Sequence, residues 1–398
     1  MAKREFRLPG VEELNKDQDR VLRLPEDGQF LIVGGPGTGK SVVALLRTMK
    51  FSNKHNDVFL TYNKVLNSAT SQLTQDLNSN TLLTFFNKML RENLNAIKLE
   101  LQKDQDKNKN QLEDCNNILS QNYAHDYKKI EQILTDNNFE ATATTKHLII
   151  DEGQDMSIDY YNCLMEFGYS NFFIVADQNQ QITNENSSRQ ELTDFLALEV
   201  KEVIELTQNY RNSHPIALVA QHFFTDIASP KPTLPESSKA ALGTPILYQY
   251  KDFQKCVKFI LREADRDPSN LIGVVVAKKE ILKKCKERLN NMEIELDNDK
   301  PNIQSYSSGD NQSVDINFGE GGIVILCDRS IKGLEFDVVF IMLNGFEIYN
   351  NELDAMRKRL YVMSSRAIKK LVFLKDENNT KLNKILPSED ILPRQEMR

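Results

Sequence analysis

One stretch constrains this chain more than any other: QFLIVGGPGTGKSVVALLRTMKF, residues 29–51. A short apolar run ends in glycines, and a helix-length segment follows at once. That strand-loop-helix order belongs to a parallel α/β sheet. Within it stand Gly34, Gly35, Pro36, Gly37, Thr38, Gly39, Lys40 and Ser41. The glycines let backbone amides turn inward around phosphates, Lys40 brings a point charge to the β/γ oxygens, and the Ser41 hydroxyl suits magnesium. A plain glycine turn between strand and helix is the structural alternative.

The pattern recurs along the chain. QFLIVGG, DVFLTYN, KHLIIDE and NFFIVAD are followed later by LIGVVVAK, GGIVILCD, DVVFIML and KKLVFLKD. Near-continuous apolar runs of roughly 5 to 8 residues, separated by helical lengths, read as buried parallel strands. The reading is α/β twice over. KHLIIDEGQD adds carboxylates at a strand's end: Asp151 is placed to hold magnesium, and Glu152 to polarise an attacking water. A lone Asp-Glu pair after a strand would carry little weight, but beside the glycine loop it points to hydrolysis of a nucleoside triphosphate.

Length and composition set the outer bounds. At 398 residues the chain has room for two or three domains, and its 40% hydrophobic content supports real cores. The net charge of −7 gives no overall pull toward nucleic acid, so any such contact needs a local basic groove. Five scattered cysteines form neither a disulfide framework nor a metal spacing. No run approaches a membrane span and no apolar leader opens the chain, so the expected location is cytoplasmic, with no membrane partner. Residues 91–145 turn Asn-, Gln- and Lys-rich, yet Leu119, Tyr123, Tyr127, Ile130 and Leu134 keep helical spacing. This predicts an amphipathic helix pair inserted into the first domain. Residues 226–243, rich in Pro, Ser and Ala, read as a connector.

LNKDQ, GGPGTGKS, VFLTYNK, TLLTFFN, DEGQD, VADQNQQI, LTQNYRNS, SIKGLEFD and RLYVMSSRA occur in the order of the motifs of superfamily 1 helicases. The chain resembles that superfamily's UvrD/Rep type from residue 14 to about residue 375. The resemblance implies two tandem RecA-like domains, at residues 1–205 and 206–398, with ATP and magnesium between them. Gln18 resembles the family's adenine-reading glutamine, a group able to pair with adenine N6 and N7. Tyr210 resembles the base-stacking tyrosine and Glu335 the carboxylate near the ribose. Asp177 and Gln180 resemble a γ-phosphate sensor, and Arg211 and Arg366 the two arginine fingers, with catalysis shared among Lys40, Asp151, Glu152 and these groups. Arg211 also fits a helix entry before Ser213 and Pro215, and Arg366 a solvated helix face.

Single-stranded nucleic acid, DNA ahead of RNA, is the partner the resemblance implies. Thr61, Asn63, Thr84, Phe85 and Arg329 are the candidate contacts. The chain departs from the family at several points: Phe86 and Arg329 stand where histidines are usual, and no aromatic ring occurs in residues 183–190. Stacking is worth roughly 1 to 3 kcal/mol per base. Tyr62, Phe85 and Phe86 are the available substitutes, with core packing as their alternative. The family's inserted accessory domains are reduced, which leaves room for a partner nuclease or effector. A nucleotide-dependent switch subunit of a DNA-repair or phage-defence complex is therefore the rival expectation to a motor.

Overall fold

The computed structural model describes residues 3–4, 6–51, 57–74, 77–121, 125–177, 186–225, 231–235, 243–307, 314–349 and 352–397. Its first sheet contains β1 (Phe30–Gly34), β2 (Val58–Thr61), β3 (Ser79–Thr81), β4 (Thr144–Ile150), β5 (Tyr169–Ala176) and β6 (Ile204–Leu206). All pairings are parallel, in the order β3-β2-β4-β5-β1-β6. The second sheet contains β7 (Ile246–Tyr250), β8 (Leu271–Val276), β9 (Ile303–Tyr306), β10 (Gly322–Cys327), β11 (Phe336–Met342), β12 (Ala367–Asp376) and β13 (Arg394–Glu396). It too is parallel, in the order β13-β7-β12-β11-β8-β10-β9. These are two tandem RecA-like α/β domains.

Both faces of each sheet are covered, which explains the continuous apolar strands. Helices α1 (Lys16–Leu22) and α2 (Lys40–Phe51) pack Val21, Val43 and Ala44 against Ile149, Phe173 and Val175. The alternate residues Leu148, Ile150, Phe172 and Ile174 face the other way. In the second domain Val339 and Ile341 enter one core and Val338 and Phe340 the other. Between β2 and β3 lies α3 (Lys64–Leu73).

The 91–145 region differs in part from the expected pair. Helix α4 (Leu82–Leu101) begins before residue 91 and runs unbroken, because Leu82, Phe86, Leu90, Leu94, Ile97 and Leu101 keep one buried stripe. Helices α5 (Lys109–Ser120) and α6 (Tyr127–Asp136) follow, with Tyr127, Ile130 and Leu134 buried in the first domain's own core and Leu119 packed at its edge. Tyr123 lies outside the described residues. Helices α7 (Ile158–Glu166) and α8 (Arg189–Phe195) complete that side, while α9 (His214–His222), α10 (Phe253–Arg266), α11 (Lys279–Asn291) and α12 (Leu353–Ser364) flank the second sheet.

Helix α3 ties the domains together. Val65, Leu66 and Ala69 are buried in the same cluster as Ile316, Phe318, Ile331 and Leu334 of the second domain. Gly333 has φ +78°, and a Cβ there would lie 2.5 Å from Leu66 Cδ2. Gln72 adds polar closure: its Nε2 donates to Ile316 O at 2.6 Å and its Oε1 accepts from Phe318 N at 2.9 Å. Leu66→Ala is expected to cost about 3 kcal/mol, a typical loss for a buried leucine. Urea unfolding should also resolve into two transitions as the domains uncouple. A single transition at the wild-type midpoint would refute the coupling.

Candidate nucleotide site between the two sheets

The glycine loop opens at the end of β1, between β5 and β6. Its backbone turns through Gly37 at φ +74° and Gly39 at φ +87°, angles an L side chain rarely takes. Space excludes a side chain as well: a Cβ on Gly37 would lie 2.3 Å from Asn209 Oδ1, and one on Gly39 2.3 Å from Gln18 Nε2. Thr38 Oγ1 donates to Gly35 O at 2.8 Å. Lys40 Nζ donates to the carbonyls of Gly34 and Gly35 at 2.8 Å each and lies 3.6 Å from Asp177 Oδ2. Burial lowers the Lys40 pKa, against the pull of Asp177, Glu152 and Asp151.

Gln18 sits against this loop. Its Nε2 donates to Thr38 O at 3.0 Å, and its Oε1 accepts from Asn15 N at 3.1 Å in the cap of α1. The carboxamide is therefore engaged with its own chain, and reading a base requires exchanging the Thr38 bond. Tyr210 is anchored through its backbone, N to Gly37 O at 2.8 Å, while its half-exposed ring stands beside Asn15, whose Nδ2 donates to the phenol oxygen at 2.6 Å.

The carboxylates lie at the ends of β4 and β5. Asp151 N donates to Leu60 O at 2.9 Å, fastening the end of β4 to β2. Asp151 Oδ1 accepts from Glu152 N at 3.0 Å, whereas Oδ2 is buried with no hydrogen-bond partner among the described residues. Burial and the neighbouring Glu152 raise the Asp151 pKa to about 6, while the nearby Ser41 hydroxyl draws it down. An orphaned buried carboxylate oxygen beside a serine hydroxyl suits a hard, oxygen-seeking cation, so Ser41 and Asp151 fit magnesium.

Glu152 occupies the left-handed region at φ 58°, uncommon for a residue with a side chain. The turn aims its carboxylate across the cleft. Burial alone would raise its pKa, but Lys332, Arg366 and Lys40 together hold it low. Gln154 fixes the geometry: its Nε2 donates to Glu152 Oε2 at 2.7 Å and its Oε1 accepts from Asp177 N at 2.9 Å. One carboxamide thus spans the ends of two strands.

From the second domain, Lys332 enters this acidic group fully buried. Its Nζ lies 2.5 Å from Asp155 Oδ2 and 3.4 Å from Glu152 Oε2. Lys332, Gln154 and Asp155 lie inside the motifs SIKGLEFD and DEGQD, which by themselves point to no role for any of the three. Two spaced acids in DEGQD and a lysine in an apolar KGLEF turn were the available signal.

Arg366 is likewise buried, its Nε donating to Val362 O at 3.0 Å. Burial and nearby Arg211 lower its pKa to about 10, while Glu152, Glu335 and Asp177 oppose the shift. The solvated-face alternative does not hold for it. Arg211 pairs with Glu335 and reaches Ser365 O at 3.5 Å. Asn212 donates to Ser365 O at 3.1 Å and Ala367 O at 2.6 Å, clasping the backbone on either side of Arg366. Residues 209–212 thereby touch both the glycine loop and the arginine turn.

The structure therefore gathers Lys40, Asp151, Glu152, Asp177, Arg211, Glu335 and Arg366 into one cleft. Gln180 lies outside the described residues. The expected nucleic-acid contacts fare differently. Thr61 is fully buried, and Phe85 packs edge-on against Tyr169 in the core, so neither offers a surface as placed. Phe86 is the hub of an aromatic cluster with Tyr127, Tyr160 and Phe167. The apolar stripe of α4 points both rings inward. Asn63 caps α3 through Leu66 N at 2.8 Å and donates to Lys332 O at 3.3 Å, a contact between domains. Thr84 and Arg329 are exposed.

Residues 19–186 match the family described as an AAA domain, which is less than half of the chain. A protein of Acanthamoeba polyphaga mimivirus, named "Putative ATP-dependent DNA helicase", is 29% identical over 260 residues. That match takes in 59% of this chain, which spans only 35% of the viral protein. Among solved structures, the PRRSV helicase aligns with 93% of this chain and 56% of its own, at 13% identity and a TM-score of 0.42. The C-terminal domain of a possible DNA helicase from Lactobacillus plantarum aligns with 46% of this chain and 98% of its own, at 11% identity and a TM-score of 0.32. Taken with the phosphate loop and the acids that face it, the sequence matches make this chain similar to helicase P-loop NTPases.

Proposed function

We propose that the chain is an ATP-driven motor of the UvrD/Rep type that moves along single-stranded nucleic acid, DNA ahead of RNA. One observation carries this reading: Lys332 and Arg366 of the second domain are buried against Glu152, Asp155 and Asp177 of the first. Only approach of the two sheets assembles that set. Nucleotide state and domain closure are then one equilibrium, as a stepping cleft requires.

In this reading the triphosphate lies along the glycine loop with Lys40 at its outer phosphates, and the base lies beside Tyr210 and Gln18. Ser41 and Asp151 would hold magnesium, which neutralises phosphate charge. Glu152 accepts the proton of the attacking water, while Arg211 and Arg366 stabilise the charge that develops on the transferred group. The mimivirus relative's name favours DNA as the track.

The test is ATPase rate at low salt with single-stranded DNA, single-stranded RNA and duplex, with Lys40→Ala as the blank. A rise with single strands is expected. No rise with any of them overturns the motor. A switch subunit acting on a nuclease or effector is the second reading. It is favoured by the apolar burial of Val65, Leu66 and Ala69, which stabilises closure independently of nucleotide.

A further inference from the structure

The segment around Arg4 leaves the first domain and lies on the second. Lys3 bridges Glu320, Arg4 N donates to Gly319 O at 3.0 Å, and Phe6 stacks on Phe318 with ring centres 6.0 Å apart. The Arg4 guanidinium reaches three acceptors on two turns. Nε pairs with Asp337 Oδ2 at 2.7 Å, Nη1 points to Phe318 O and Nη2 to Glu335 O, both at 3.4 Å. Both members of the ion pair are more than nine-tenths buried.

Asp337 is a hub in its own right. Its Oδ2 also accepts from Leu271 N at 3.0 Å, and its Oδ1 lies 3.1 Å from Lys369 Nζ. Between Glu335 and Asp337 stands Phe336, whose N–H donates to Arg366 O at 3.0 Å. On one side Glu335 holds Arg211. Arg4 therefore clamps, from behind, the short backbone that carries Glu335 and registers Arg366. A planar fork suits this task, since one group meets a carboxylate and two carbonyls at fixed angles.

We propose that Arg4 is a positioning residue for the nucleotide cleft, fixing residues 335–337 so that Arg211 and Arg366 face the phosphates together. The inference rests on the ATPase reading above. It does not follow from the motif comparison, because Arg4 lies before the first matching motif.

With the full chain, Arg4→Ala is expected to lower kcat roughly 10-fold, with the KM for ATP within about 2-fold of wild type. Nucleotide-binding stoichiometry, read with a fluorescent ATP analogue, should stay at one per chain, which a misfolded fraction would lower. In an Arg211→Ala background the same substitution should cost clearly less than about 10-fold, because one of the two groups it acts through is gone. Wild-type kcat in Arg4→Ala, or an undiminished loss in the Arg211→Ala background, overturns the inference. If Arg4→Ala does not fold, Arg4→Lys decides by the same split: a kcat loss at unchanged KM supports the role and wild-type values refute it. A wild-type protein without ATPase activity overturns the underlying reading and this inference with it, whereas an active wild type beside an unaffected Arg4→Ala overturns this inference alone.

Discussion

Glu152→Gln is expected to lower kcat for ATP about 10³-fold, the range that a positioned general base contributes, while nucleotide binding stays near wild type. The carboxylate is buried yet held ionised by Lys332, Arg366 and Lys40, so its oxygens are unprotonated and able to accept from the attacking water. The amide is nearly isosteric and keeps an acceptor for Gln154 Nε2, but it cannot accept the proton of a water. Lys332 loses one anionic neighbour and retains Asp155 at 2.5 Å, so melting should show a folded protein. Single-turnover hydrolysis of radiolabelled ATP measures the effect, and a rate within a few-fold of wild type would remove Glu152 from the mechanism. The variant also separates the two readings: a motor loses all output, whereas a switch is trapped in an ATP-bound state that still engages its effector.

Arg366→Ala should reduce kcat by roughly 10³-fold or more, the effect of removing an arginine finger. Its guanidinium is nearly inaccessible to solvent and lies where Glu152, Asp177 and Glu335 all stabilise its charge. Asn212 holds the backbone on both sides, so the side chain starts from a fixed base. Arg366→Lys keeps the charge without the fork and should recover only part of the rate. Equal ATPase rates for wild type and Arg366→Ala, at matched nucleotide occupancy, would show that hydrolysis does not wait for the second domain.

Lys332 shows how far a sequence reading reaches at such a site. KGLEF was conspicuous, but its lysine had no assignable partner while Asp155 stood 177 residues away. Burying a cation beside two acids is tolerable only because each desolvation cost is offset by the others. That balance exists in three dimensions alone. Phe85 and Phe86 show the converse, since an aromatic pair near a motif looks the same on paper whether it faces a base or a core.

What the sequence determined by itself was local and periodic. Apolar runs of strand length marked parallel sheets buried on both faces, and a glycine loop between strand and helix marked a phosphate cradle. Both follow from the chain's own dihedral and burial preferences over a few residues. Tertiary structure alone decided which groups meet. It put Lys332 among the acids of the other domain, turned Phe85 inward, set α3 into the second core and brought Arg4 behind the arginine turn. These pairings join residues far apart in the chain, up to 333 positions for Arg4 and Asp337, and their energies depend on desolvation and distance, quantities that no local pattern encodes.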